Sequence, residues 1–161
     1  MSSKFIKRWE ESDRTGLKAV LKPSAPLKSR IELAIRRIEA QMQYLDSALT
    51  RFADRDRYIF SKVVDAYSKN QMQRANVFAN ELAELRKMAN FMMNAQLALE
   101  RVVLRLRTVT QLGNVVVNLA PATEVLQNVR SGLAGMLPNA EKELEQVSMM
   151  LNDIMVEAGH T

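Results

Sequence analysis

A short stretch near the start of the chain combines large apolar side chains with cations: Lys4, Phe5, Ile6, Lys7, Arg8 and Trp9. On a helical turn the three apolar side chains would share one side and the cations would surround it, which is typical of helices that lie in a membrane interface. Two more cations follow at Lys18 and Lys22. We predict that these residues bind an anionic membrane. The alternatives are a disordered tail, or a staple in which Trp9 packs on the rest of the protein.

The free energy available to such a segment is small. Burial of three large apolar side chains contributes roughly 1.5 to 3 kcal/mol each, and each cation near an anionic surface adds about 1 kcal/mol. Ordering the segment costs about 1 kcal/mol or more per residue in backbone entropy. A single copy should therefore bind a membrane weakly, and many linked copies should bind it tightly.

Residue types that most enzymatic and metal chemistry needs are missing from the sequence. There is no cysteine and the one histidine is His160, so thiolate or histidine nucleophiles and histidine-based zinc or di-iron sites are not expected. No glycine-rich phosphate loop occurs. We expect no catalytic residue, no cofactor, no metal and no small-molecule substrate. The absence of a long apolar run and of a secretory signal favours a cytoplasmic protein.

Two long stretches have the apolar spacing of a coiled coil, with steps that alternate between four and three residues. The first stretch has two rows, which are Ile31, Ile38, Leu45, Phe52 and Ile59, and Ile35, Met42, Leu49 and Val63. The second stretch also has two rows, which are Phe78, Leu85, Met92, Leu99 and Leu106, and Leu82, Ala89, Val103 and Val117. Apolar stripes of similar length predict two helices that pack against each other as an antiparallel hairpin.

The turn of this hairpin is predicted at Ser68 to Gln71. Ser68 with Gln71, or Asn70 with Gln73, would form a capping box whose side chains satisfy the free amides of the second helix. At the start of the first helix, Ser29 and Glu32 would form a similar cap.

One charged residue, Asp56, interrupts the apolar rows of the first helix. Drift of a straight helix away from the heptad spacing would turn Asp56 towards water. A specific charge pair between chains is the alternative, and drift is favoured because surface ion pairs are usually weak.

A proline is expected to end the second helix. Pro121 lacks a backbone donor and clashes with the preceding turn, so we predict a hinge formed by Asn118, Ala120 and Pro121. Two shorter amphipathic helices follow, one over 122–137 and one that begins at Pro138. Residues 121–161 carry 2 Lys/Arg against 6 Asp/Glu, whereas residues 1–69 carry 15 against 9. The acidic end could therefore fold back on the basic body or meet a neighbouring molecule.

These patterns predict an all-α fold. It consists of a long antiparallel helical hairpin with a short N-terminal amphipathic helix and two shorter C-terminal helices. We divide it into a basic membrane-binding segment and linker (1–28), the hairpin core (29–120), and hinged, partly acidic C-terminal helices (121–161).

The order of these elements resembles the core of an ESCRT-III subunit over residues 1–157. The run Arg74-Ala75-Asn76-Val77-Phe78-Ala79-Asn80-Glu81-Leu82-Ala83-Glu84-Leu85-Arg86-Lys87 is similar to the basic, alanine, aromatic, asparagine, glutamate and leucine pattern of that family. Within the family, the chain is most similar to the archaeal cell-division (Cdv) branch. The resemblance implies polymerisation on the inner face of the cell membrane at the division site, and constriction or scission of the membrane.

The implied partners are further copies in a filament, related ESCRT-III paralogues, anionic membrane lipids, and an AAA ATPase with an MIT domain. The short motif that such an MIT domain binds is not seen in this chain. For a filament whose C-terminal helices swing out to a neighbour, the predicted polymer interface is Phe78, Leu82, Leu85, Met92, Leu133, Leu144 and Leu151.

Two other functions fit the same residues. A curvature-binding dimeric hairpin protein of another membrane family would share the basic surface, and closed dimers instead of open filaments would distinguish it. A basic helical nucleic-acid-binding protein would also fit the charge, although no folded reader motif occurs. An enzyme or metal-binding bundle is the weakest alternative.

Overall fold

A computed structural model of the chain describes residues 25–159, so the predicted membrane-binding residues at positions 4 to 22 lie outside the described residues. The described part consists of four helices, α1 (Ala25–Ser68), α2 (Met72–Leu112), α3 (Val115–Leu133) and α4 (Pro138–Gly159). The predicted all-α fold, with two long helices followed by two shorter ones, is confirmed. The N-terminal amphipathic helix is predicted for residues outside this range and stays a prediction.

Two compact units make up the chain. The hairpin unit is Gln43–Gln96, and the four-helix unit contains the described residues 25–42 and 97–159. These units reflect packing and not function. The division into functional segments 1–28, 29–120 and 121–161 therefore stays a prediction.

In the hairpin unit, the turn between α1 and α2 lies at residues 69–71, where the sequence predicts it. Asn70 adopts a left-handed conformation with φ of 59°. The Gln71 amide donates to the Ala66 carbonyl at 2.8 Å and the Asn70 amide donates to the Tyr67 carbonyl at 3.1 Å. These two bonds form a Schellman motif, which satisfies the last carbonyls of α1.

The predicted mechanism of this turn is wrong, because Ser68 does not cap α2. Its hydroxyl donates to the Asp65 carbonyl at 2.9 Å, one turn back in α1. Asn70 serves as the left-handed residue after α1, a conformation that asparagine tolerates better than most residues. The Ser68 hydroxyl and the amides of Asn70 and Gln71 therefore finish the first helix. The second helix starts at the Gln71 carbonyl, which accepts from the Ala75 amide at 2.9 Å.

The core of the hairpin unit is formed by apolar side chains from both α1 and α2. Ile59, Leu82 and Leu85 are buried together, and Phe52, Phe78 and Met88 pack against them. Both heptad stretches contribute, as the apolar spacing predicts.

The core of the four-helix unit is built from each of its helices. The largest fully buried side chains there are Ile31, Ile38, Leu99, Leu106, Leu119, Leu126, Leu133, Leu144, Leu151 and Ile154. The predicted rows are confirmed at Ile31, Ile38, Leu99 and Leu106. The prediction is wrong at Val117, which is 74% exposed, because α2 ends at Leu112 and the buried face starts again in α3 at Leu119.

The break between α2 and α3 lies at Gly113 and Asn114, and the predicted end of the helix at Pro121 is wrong. Both residues of the break are left-handed, with φ of 86° and 57°. Pro121 lies inside α3, where the carbonyl that it leaves without a donor is that of Val117, on the exposed side of the helix. Glycine tolerates the left-handed region without strain, so the glycine breaks the helix and the proline does not.

The last connection, from α3 to α4, is short. The Leu133 carbonyl accepts hydrogen bonds from the amides of Met136 at 3.0 Å and Leu137 at 2.8 Å. Pro138 is the first residue of α4, as the sequence predicts, and its missing amide has no helical partner at that position. The third helix ends at Leu133, earlier than the predicted residue 137.

Candidate assembly site

The acidic helix α4 is held on α1 by a cluster around Arg37. The Arg37 guanidinium donates through Nε to Glu143 Oε1 at 2.6 Å, through Nη2 to Gln146 Oε1 at 2.7 Å, and through Nη1 to Met150 Sδ at 3.1 Å. The Arg37 and Glu143 side chains are 28% and 30% exposed. One arginine on α1 therefore binds two turns of α4.

A second ion pair joins the same two helices, between Arg30 and Glu157. Arg30 and Arg37 are seven residues apart and share one face of α1. Arg30 pairs near the end of α4 and Arg37 near its start, so α4 runs antiparallel to α1. We call these five side chains the latch: Arg30, Arg37, Glu143, Gln146 and Glu157.

The ion pairs of the latch contribute less free energy than the burial of the apolar side chains of α4. Ion pairs that are about one-third exposed contribute roughly 0.2 to 1 kcal/mol each, and salt screens them. The buried side chains Leu144 and Leu151 contribute roughly 1.5 to 3 kcal/mol each. The ion pairs fix where α4 lies, and the apolar side chains supply most of the stability.

The structure places most of the predicted polymer interface inside the chain. Met92, Leu133, Leu144 and Leu151 are fully buried. Leu82 and Leu85 are 6% and 9% exposed in the core of the hairpin unit. Phe78 is half-buried, and the Arg74 guanidinium lies 5.6 Å from the centre of its ring. This is the packed-back arrangement of a single chain, and a role of these residues between chains stays a prediction.

The predicted hinge residue Asn118 touches the true helix break. Its side-chain amide donates to the carbonyls of Gly113 at 3.2 Å and Asn114 at 3.1 Å. The Asn118 backbone amide also donates to the Asn114 carbonyl, at 3.1 Å. Ala120 and Pro121 are exposed residues inside α3. Of the three predicted hinge residues, only Asn118 therefore contacts the break.

Asp56 forms an ion pair within the chain, across the hairpin unit. Arg86 Nε donates to Asp56 Oδ2 at 2.8 Å and Arg86 Nη2 donates to Oδ1 at 3.2 Å. This bidentate bond lowers the pKa of Asp56 below its ordinary value of 3.8 and raises that of Arg86. Neither drift towards water nor a pair between chains describes this residue, because its partner lies on the opposing helix of the same hairpin.

A cluster of cations and an aromatic ring lies on the outside of α1 in the hairpin unit. Arg55 and Lys62 approach the ring of Tyr58, at 5.8 and 5.4 Å from its centre. Tyr58 is 55% exposed, and within residues 25–159 neither cation forms an ion pair with an acid. We call these three residues the Tyr58 cluster. An exposed aromatic ring between two cations suits an anionic surface.

Sequence reasoning did not identify the latch or the Tyr58 cluster. The heptad spacing of Arg30 and Arg37, and the acidic start of α4, were the available signals for the latch. The steps of three and four residues from Arg55 to Tyr58 to Lys62 were the signal for the cluster. Charge periodicity indicates such a face, but it does not indicate which partner covers it.

The described residues 25–159 contain no helix long and apolar enough to span a membrane. They also contain no group of three or more possible metal ligands.

The known proteins that match this chain include two from Sulfolobus acidocaldarius. Cell division protein B1 is 36% identical over 159 residues, which are 99% of this chain and 73% of that protein. Cell division protein B is 30% identical over 132 residues, which are 82% of this chain and 50% of that protein. No family model and no solved structure matches the chain.

Proposed function

The chain belongs to the archaeal cell-division (Cdv) branch of the ESCRT-III family, and from that premise we propose that it polymerises on anionic membranes and remodels or constricts them during cell division. The observation that carries this proposal is the latch. The apolar face of α4 packs within its own chain, and ion pairs that are about one-third exposed fix its position. Such a helix can be released when an equivalent apolar surface is available elsewhere.

Release of α4 would expose apolar surface on both sides of the contact. The residues exposed would include Leu144 and Leu151 on α4, and their neighbours in the four-helix unit. A neighbouring chain that presents the same surfaces could bury them again with little net change in buried apolar area. The equilibrium between packed and exchanged states would therefore be close to balanced and easy to shift. An exchange that continues from chain to chain need not close, so it produces a filament.

The helix break is the proposed hinge for this exchange. Gly113 and Asn114 are the only residues between α2 and α3. If both changed from the left-handed to the right-handed helical region, α2 and α3 would continue as one helix and carry α4 away from α1. The proposed hinge is therefore Gly113 and Asn114 with the side chain of Asn118, instead of Asn118 to Pro121.

Membrane attachment is assigned to two basic and aromatic regions. The first is the predicted segment Lys4 to Trp9 with Lys18 and Lys22, and the second is the Tyr58 cluster. Each region is too small to hold one chain on a membrane, but a filament presents both many times over. The proposed location is the inner face of the cell membrane at the division site.

The proposed partners are copies of this chain and related paralogues of the same family. An AAA ATPase with an MIT domain would remodel the assembled polymer. The role of the chain in this proposal is structural, and its chemistry is binding and assembly.

Incubation of the protein with vesicles tests the proposal, with sedimentation to measure binding and negative-stain microscopy to detect filaments. We expect salt-sensitive sedimentation with anionic vesicles, little with neutral vesicles, and filaments on the anionic ones. Closed dimers on the vesicles would support the curvature-binding alternative. Equal binding to both vesicle types would overturn the electrostatic part of the proposal.

Release of α4 is tested with a matched pair of variants. Glu143→Gln removes a negative charge from the latch, and Glu124→Gln removes the same charge from an exposed site on α3. We expect filaments at a lower protein concentration with Glu143→Gln than with Glu124→Gln. Equal effects would mean that only net charge matters, and that the latch does not control assembly.

A further inference from the structure

Two exposed stripes on different helices of the four-helix unit have the same spacing and opposite charge. On α2, Leu97, Arg101 and Leu104 lie at steps of four and three residues. On α4, Met149, Asp153 and Val156 lie at the same steps. We call them the α2 outer stripe and the α4 outer stripe. Each has a charged residue between two apolar ones, with an arginine on α2 and an aspartate on α4.

The apolar side chains of both stripes face solvent. Leu97 and Leu104 are 62% and 61% exposed, and Met149 and Val156 are 59% and 60% exposed. Each stripe lies on the far side of its helix from the buried face, which carries Leu99 and Leu106 on α2 and Leu144 and Leu151 on α4. Packing among residues 25–159 therefore leaves both stripes uncovered, although each has the heptad spacing of a helix contact.

The charges of the stripes are also unused within residues 25–159. Neither Arg101 nor Asp153 forms an ion pair there, whereas Arg107, six residues after Arg101, pairs with Glu39 at 3.2 Å. Arg105, beside the α2 outer stripe, likewise has no acidic partner in this part of the chain. The arginine and the aspartate are thus available to a molecule that brings the opposite charge.

The two stripes face different directions. Arg37 of α1 contacts α4 and Glu39 of α1 contacts α2. Two residues apart on an α-helix correspond to about 200° of rotation, so α2 and α4 lie on opposite flanks of the buried face of α1. A second chain can therefore bring its α4 outer stripe to the α2 outer stripe of the first and still leave a stripe free at each end.

We infer that the α2 outer stripe of one copy of this chain binds the α4 outer stripe of the next copy, with Arg101 paired to Asp153. The matching spacing allows this pair in either helix direction, because each charge lies four residues after one apolar side chain and three before the other. Such a contact is head-to-tail and does not close on itself, so it propagates. It needs no release of α4, since it uses only surfaces that the latched chain already exposes.

This inference rests on the proposed function, because it assigns the surfaces through which the polymer first forms. It differs from the exchange of α4 in the residues that it uses. Leu144 and Leu151 are buried in the latched chain, and the residues of the two outer stripes are exposed.

Charge reversal tests the pairing. Arg101→Glu alone and Asp153→Arg alone each place like charges in the contact, and we expect each to raise the protein concentration needed for filaments by about tenfold or more. The two changes in one chain restore opposite charges and should return that concentration to within about threefold of the unmodified protein. Arg36→Glu, on an exposed face of α1, is the control for Arg101→Glu, and Glu124→Arg, at an exposed site of α3, is the control for Asp153→Arg.

Sedimentation with anionic vesicles is measured for each of these variants. Each single reversal is compared only with the control that has the same change of charge, so that altered membrane attraction is separated from altered assembly. If both single reversals form filaments as readily as their controls, or if the double reversal fails to restore them, the inference is overturned. If the unmodified protein binds vesicles and forms no filaments, the proposed polymer fails instead.

Disulfide trapping tests the contact between the two stripes independently of filament formation. The chain has no cysteine, so single introduced cysteines are unambiguous. A mixture of Leu104→Cys and Met149→Cys chains should form a disulfide between chains if the helices run antiparallel, and a mixture of Leu97→Cys and Met149→Cys chains should do so if they run parallel. Leu33→Cys replaces the α2 cysteine in the control mixture. Failure of both test mixtures to exceed this control, on vesicles and in solution, would overturn the inference whatever the filaments show.

Discussion

Arg37 and Glu143 lie 2.6 Å apart, from Nε to Oε1, although 106 residues separate them in the sequence. Through this contact the basic first helix holds the acidic last helix, which is one of the two outcomes that the charge asymmetry of the sequence allowed. The pair is about one-third exposed, so salt and competing anions can reach it. An anionic membrane surface could therefore compete for Arg37 with the acids of α4.

Loss of Arg37 should loosen α4 without unfolding the rest of the four-helix unit. Arg37→Gln removes both ion pairing and the fork of hydrogen bonds, and we expect faster amide hydrogen exchange across α4. Arg107→Gln is the control, since Arg107 pairs with Glu39 and does not contact α4. Salt at about 1 M, where the Debye length is near 3 Å, should speed the exchange of α4 in the unmodified protein. Protection of α4 that is unchanged in Arg37→Gln would show that its apolar side chains hold it alone.

The left-handed conformation of Gly113 predicts what replacement of this glycine by alanine should do. Alanine in the left-handed region costs about 1 to 2 kcal/mol, and in a continuous helix it is about 1 kcal/mol better than glycine. Gly113→Ala should therefore shift the chain towards a continuous α2 and α3, with faster exchange in α4 and readier assembly. Gly135→Ala is the control, because a methyl group there would meet no atom within 4 Å. If α4 exchange and assembly are the same in the two variants, Gly113 is not the hinge.

The side chains on either side of Asn118 test where the buried face of α3 lies. Leu119 is fully buried and Val117 is 74% exposed. Leu119→Ala should lower the free energy of unfolding by roughly 2 to 5 kcal/mol, and Val117→Ala should leave it within about 0.5 kcal/mol. Urea denaturation measures both changes. The opposite ranking would mean that the heptad row of α2 continues through the break, as the sequence predicts.

The sequence predicts the helices better than it predicts their ends and their partners. Ile31, Ile38, Leu99 and Leu106 follow from periodicity because their burial depends on local spacing. The break at Gly113 could not be ranked above Pro121, because whether a proline is tolerated depends on which carbonyl it deprives of a donor. The latch could not be found in this way either, since a local pattern of charge does not specify a partner more than a hundred residues away.

The ion pair between Asp56 and Arg86 predicts how the stability of the fold changes at acidic pH. Since the bond from Arg86 lowers the pKa of Asp56 in the folded protein, the pair stabilises the fold at every pH above the ordinary value of 3.8. This stabilisation is lost as the pH falls through the lower, folded value. Arg86→Gln should raise the pKa of Asp56 towards 3.8, and it should reduce the fall in melting temperature on acidification over that range. Carboxyl NMR titration measures the first effect and thermal unfolding the second, with Lys87→Gln, one residue away and paired with Glu84, as the control. If the pKa of Asp56 is the same in Arg86→Gln and Lys87→Gln, the pair does not form in solution, and drift of Asp56 towards water becomes the better account of its place in the heptad.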